Sequence, residues 1–170
     1  HYLKRPYELV PLAASGMPAV RYLDKGRRPL PDNAPAEKIA FSVYEIRIKP
    51  GVHYQPHPAF ARDAQGRYLY HDLKPEDLAK VYKLADFPQT GTRELEAADY
   101  VHQIKRLAHP KLNSPIFGMM GEVIVGLKEY AKELDSAQKA LPPGSRLDLT
   151  RYPLAGVEVV DRHTYRVKLK

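Results

Sequence analysis

The chain has 170 residues, 44% hydrophobic and 28% charged, a composition that supports one compact core and excludes a disordered polymer. No apolar run approaches the roughly 18 residues of a membrane-spanning helix, and the absence of Cys excludes disulfides and thiolate metal sites. The net charge of +7 raises nucleic acid or an acidic surface as partners, but the basic residues are scattered: Lys25, Arg27 and Arg28, then Lys105 and Arg106, then Arg162, Arg166, Lys168 and Lys170. Each group is mixed with acids, which predicts a solvated surface rather than a stripe that tracks phosphates.

Prolines gather at 29–35, 50–58 and 142–153, where connecting loops are expected, and no internal repeat is visible. The first predicted strand covers 41–48, where Phe41, Val43, Tyr44, Ile46 and Ile48 give an imperfect alternation rich in β-branched and aromatic residues. Pro50-Gly51 turns the chain into a second short strand near 52–55. A helix is predicted over Pro75–Ala85, with proline in the first turn followed by Glu76 and Asp77.

The next helix, near 95–108, has the clearest pattern. Tyr100, Val101, Ile104, Leu107 and Ala108 recur at three- and four-residue spacing, acids precede them, and Lys105, Arg106 and His109 precede the stop at Pro110. Another helix is expected from Ile116 or Glu122 to Leu134, with Val125, Leu127, Tyr130, Ala131 and Leu134 facing inward. The chain closes with a hairpin: Val157–Val160, a turn at Asp161-Arg162, and a strand near 164–169 with Tyr165, Val167 and Leu169 on one face. Strand 41–48 and this hairpin are expected to share one sheet, because a two-stranded ribbon alone is marginal. The predicted fold class is α+β, a mixed or mostly antiparallel sheet covered by helices near 95–108 and 121–134.

Little in the chain suggests chemistry. There is no Gly-x-Ser-x-Gly elbow, no His-Glu-x-x-His and no phosphate-cradling glycine loop. Glu76, Asp77, Glu94 and Glu96 sit at predicted helix starts, where the helix dipole explains them. His53 and His57 fall in extended or looped backbone, where four-residue spacing does not align two imidazoles, so no metal site is expected. His71-Asp72 reads as turn chemistry, and His102 and His109 are seven residues apart on one helix.

Four phrases then stand in a telling order: Lys49 to Tyr54; Ala97 to Pro110; Ile124-Val-Gly-Leu-Lys-Glu-Tyr130; and Gly156-Val-Glu-Val-Val-Asp-Arg-His-Thr-Tyr-Arg-Val167. Together with Tyr7 to Ser15, this order resembles the N-terminal region of the family 5 extracellular solute-binding proteins, the dipeptide, oligopeptide and nickel receptors of bacterial ABC importers. The likeness covers about residues 7–170. Two features depart from the family: Glu96 stands where Thr or Ser usually caps the helix, so Thr92 or another residue would cap an earlier start, and a long insert separates Tyr54 from Glu94.

The resemblance implies a single domain, 1–170, that is a fragment of lobe I of a two-lobe, type II-like periplasmic receptor. It implies binding rather than catalysis, no cofactor, a monomer, a peptide or other small solute as ligand, an ABC permease as membrane partner and no nucleic acid. The sequence opens on His1 without signal-peptide features, so a periplasmic or extracellular location, membrane-associated through the transporter, is also what the resemblance implies. The alternative is a free-standing basic interaction module for nucleic acid or a protein partner.

The ligand-binding residues implied are Ile116, Phe117 and Met119. Ser114-Pro-Ile-Phe-Gly-Met-Met120 is similar to the family's Ser-Pro-aromatic segment, in which a tyrosine reaches the peptide main chain. Ile116 occupies that position here, so either Phe117 supplies an apolar contact or the ligand is held differently. Met119 and Met120 would give an adaptable surface. If the segment lines a cleft, Phe117 or Ile116 stays partly exposed while Val101, Ile104 and Leu107 are buried against the sheet.

Overall fold

The computed structural model describes residues 5–170. Two compact units divide them: residues 5–49 together with Glu96–Lys170, and Pro50–Leu95. Among the described residues the first unit holds five strands, β1 (Ala19–Leu23), β2 (Pro29–Leu30), β3 (Phe41–Arg47), β4 (Val157–Asp161) and β5 (Thr164–Leu169), and three helices, α1 (Ala97–Arg106), α2 (Phe117–Val123) and α3 (Leu127–Ala140). The strands form one antiparallel sheet in the order β2-β1-β3-β5-β4. The unit is therefore α+β.

β3 and β5 pair from Ser42↔Leu169 to Arg47↔Thr164, and β5 pairs in turn with β4. The hairpin and β3 thus share the sheet, as their alternation requires. Residues directly opposite each other in a ladder share a face, so Tyr44, Ile46, Tyr165, Val167, Leu169 and Val157 lie together. Helices cover that face. Tyr100 of α1 stacks on Tyr165 at 5.1 Å, and Val157, Val167 and Leu169 pack against a buried cluster of Ala108, Ile124, Leu127, Tyr130, Leu134, Leu149 and Leu154. The other face carries charge, with Glu45 opposite Arg166 and Arg166 opposite Glu158.

α1 begins at Glu96, whose backbone N–H donates to Asp99 Oδ2 at 2.9 Å. No earlier start is used. Thr92 instead donates its hydroxyl to the Tyr54 carbonyl, inside the second unit. Val101 is buried, whereas Ile104 and Leu107 are half-buried.

Three expectations are corrected. The helix expected to run through to Leu134 is two helices, α2 and α3. Ile124 leaves α2 to bridge Leu169, with the Val125 N–H donating to the Lys168 carbonyl, and Gly126 takes φ 78° before α3 begins. Only glycine adopts that conformation without strain. The stretch 52–55 is no strand but makes an isolated bridge, His53↔Glu94, and Pro56 and Pro58 lack the N–H groups that a longer ladder would need.

The predicted helix at 75–85 is two 3₁₀ turns, Pro75–Leu78 and Leu84–Asp86. Asp77 accepts from the Lys74 N–H, and Asp86 accepts from the N–H groups of Tyr82 and Lys83. These are the same caps that open α1; what the two turns lack is a buried residue to hold a longer helix in place.

Candidate functional site

The segment singled out by sequence lies where α1 hands over to α2. Beyond Arg106 the helix tightens, with the N–H groups of Ala108 and His109 donating to the carbonyls of Lys105 and Arg106. Pro110 then blocks continuation. The loop closes through N–H donors at Leu112 and Ser114, and the Phe117 N–H donates to the Ser114 carbonyl to open α2. Between this loop and α3 lies a groove of about 390 Å³, with Leu107, His109, Leu112, Ser114, Phe117 and Asp135 among its walls.

Phe117, half-buried and packed on the core cluster, forms part of that groove. Ile116 and Met119 do not line it. They stand 44% and 65% exposed and fall, with Val123, on one side of α2, since positions three and seven apart share a helical face. Of the two residues expected to stay partly exposed, Ile116 is exposed and Phe117 is half-buried between groove and core; Met119 is exposed as well.

His109 Nδ1 accepts the Lys111 N–H at 3.1 Å, which places the proton of the neutral ring on Nε2. Burial, reinforced by the neighbouring Lys111 and Arg106 charges, pushes its pKa down. Asp135 Oδ2 accepts from Lys139 at 2.6 Å. The groove therefore pairs an apolar wall at Leu107, Leu112 and Phe117 with polar groups at His109, Ser114 and Asp135. Such a lining suits noncovalent capture of a small amphipathic group. Sequence reasoning missed Asp135, which lies on α3 and approaches the loop only through tertiary packing. His109 carried a signal, as the last polar residue before Pro110.

His53 and His57 have local roles, and His71 reaches further along the chain. His53 Nδ1 donates to the Gly51 carbonyl, and His57 Nδ1 accepts the Ala59 N–H. His71 Nε2 donates to the Ala59 carbonyl while its ring stacks on Tyr68 at 3.9 Å, a tertiary role where turn chemistry was expected. Among the described residues, no group of three His, Asp or Glu side chains is placed to hold a metal ion.

Lys105 ties α1 to the turn at Leu149. Its Nζ donates to the Leu149 carbonyl at 3.1 Å and stands 6.0 Å from the Tyr130 ring centroid. Burial lowers the Lys105 pKa, and burial raises that of Tyr130 to about 12. No family model, no curated protein and no solved structure matches the chain.

Proposed function

We propose that this chain is part of lobe I of a periplasmic or extracellular receptor of the family 5 solute-binding type, with a type II-like lobe fold. Its activity is capture of a peptide or similar small solute for an ABC permease. The observation that carries the reading is the Ser114–Met120 segment: its sequence is similar to the family's cleft segment, and it combines a groove wall at Phe117 with exposed Ile116 and Met119. The antiparallel sheet with helices on one face agrees with such a lobe. The receptor is a monomer that works by closing two lobes over its ligand.

The test is calorimetry with peptide mixtures on this chain and on the protein from the complete reading frame. The isolated chain should bind weakly or not at all, because one wall leaves much of a ligand in water. In the two-lobe protein, Ile116→Ser with Met119→Ser should weaken peptide binding without lowering the melting temperature. Unchanged binding would reject the site. Sequence-selective nucleic-acid binding that survives physiological salt would instead favour a basic interaction module.

A further inference from the structure

The charged face of the sheet contains a hollow that the receptor reading does not use. Ala14 bridges Ile48 and Ala19 pairs with Glu45, so residues 15–18 stand opposite only Ile46 and Arg47. The surplus backbone is taken up in bends at Ser15, Gly16 and Met17. This leaves a hollow of about 320 Å³ lined by Ser15, Gly16, Met17, Ala19, Glu45 and Arg47. Ala19, the smallest side chain on that row, leaves the space beside the Glu45 carboxylate open.

That carboxylate is heavily subscribed. Arg166 Nε donates to Oε2 at 2.9 Å, Arg21 Nη2 to Oε2 at 3.3 Å and Arg47 Nη2 to Oε1 at 3.2 Å, while Arg166 also reaches Glu158 at 3.4 Å. The Arg166 hydrogen bond, then that of Arg47, holds the Glu45 carboxyl below the ordinary carboxylate range. Glu45 is therefore ionised at neutral pH. Three guanidiniums share two carboxylates, which leaves one positive charge over. Arg21 and Arg47 remain 61% and 71% exposed, and each guanidinium carries five N–H donors. Exposed pairs of this kind contribute little to stability, so crowding two such cations on one acid has small structural return.

We infer that this hollow binds a small organic carboxylate, its oxygens held in two-point geometry by Arg47 on the hollow's wall and its short aliphatic stem lying on Met17 and Ala19. Its charge is offset further by Arg21, which stands outside the lining on the shared partner Glu45. A guanidinium matches a planar carboxylate in two-point geometry, and a second anion relieves the repulsion among the cations. The inference is independent of the receptor reading, since none of its residues belongs to the groove at Phe117.

The experiment is a titration of the chain with butyrate, followed by NMR at the Arg Nε–H and Gly16 amide signals, beside butyramide and inorganic phosphate. Butyrate should shift Arg21, Arg47 and Gly16 saturably, and uncharged butyramide should not. Arg47→Gln should weaken binding about tenfold, as loss of a charged hydrogen-bonding partner does. Glu45→Gln should tighten it, because the competing carboxylate is gone. Ala19→Leu should abolish it while every charge stays in place, and this exposed substitution decides the matter should Glu45→Gln fail to fold. Linear shifts without saturation, or shifts unchanged in Ala19→Leu, would overturn the site. Phosphate binding more tightly than butyrate, and lost in Ala19→Leu, would overturn the carboxylate assignment.

Discussion

The two units reach order by different physics. In the first, Ile124, Leu127 and Leu134 are withdrawn from water almost completely, and each such side chain contributes roughly 1.5–3 kcal/mol on burial. In the Pro50–Leu95 unit, among the described residues, only Pro58 and Ala61 are buried. Its order rests instead on rings and local polar bonds: Tyr54 against Phe60 at 5.2 Å, Arg93 over both, Tyr70 against Phe87 at 4.8 Å, and Asp63 accepting from the N–H groups of Gln65 and Arg67. A unit built on burial should fail as a whole when its core is cut. A unit built on local bonds should fail piecemeal.

The sharpest way to break this contrast is Leu134→Ala. The side chain is 0% exposed in the central cluster, so its truncation should cost about 2–5 kcal/mol, read by denaturant unfolding of the chain. A loss below about 1 kcal/mol would mean that the cluster is not what holds the first unit.

A matched pair of glycines comes next. A Cβ on Gly156 would meet the Val125 carbonyl oxygen at 2.3 Å, and one on Gly91 would meet the Phe60 carbonyl oxygen at 2.2 Å. Neither obstacle is a side chain that can swing away, so each Ala substitution should cost about 1–3 kcal/mol or more. The distribution should differ. Gly156→Ala should lower amide protection across α3 and β5. Gly91→Ala should lower it at the reciprocal His57 and Gly91 bonds and leave α3 intact. Equal loss at α3 in both variants would make the chain one cooperative structure.

The same contrast explains what sequence could reveal. Periodicity reports burial, and it located α1, β3 and β5, whose inward rows face one core, and β4, which contributes only Val157 to that core. It missed β2 because Pro29–Leu30 is only two residues long, and β1 because Arg21 interrupts the row of Ala19 and Leu23 while none of its residues is fully buried. It ran α2 into α3 because nothing local marks Ile124 as a residue that leaves the helix to bridge Leu169. In the second unit Pro75 and two acids mark a helix start, and Asp77 and Asp86 do cap their turns, but no buried face extends either turn into a helix. The site divides likewise. Ile116 and Met119 were legible as an accessible segment, whereas Asp135 and the hollow at Glu45 depend on register.

Acidification should separate the units less strongly. The His109 pKa is depressed by burial and by Lys111 and Arg106, so the folded chain binds fewer protons than the unfolded chain as pH falls through the ordinary value of about 6.5. The stability from the neutral ring is fully present above that pH. It is lost progressively toward the depressed folded value and changes no further below both. Melting temperatures measured from pH 8 downward should show this slope, and His109→Asn, which keeps an acceptor for the Lys111 N–H, should flatten it. An unchanged slope would assign the pH dependence to other groups.

The smallest effect should come from Arg62→Gln in the second unit. Arg62 lies over the Tyr68 ring at 4.1 Å, donates to the Tyr68 hydroxyl at 2.6 Å and donates to the Gly66 carbonyl at 2.9 Å, tying together the turn that Asp63 organises. The guanidinium is exposed, where cation–π contact is worth about 0.5–1 kcal/mol. Because no buried cluster depends on it, the loss should stay local: altered chemical shifts at Tyr68, His71 and Arg67, faster amide exchange at Gly66, and a melting temperature for the first unit that does not move. If Arg62→Gln instead lowered global stability as far as Leu134→Ala, the second unit would have to be integral to the core, and the division between burial and local bonding would not hold.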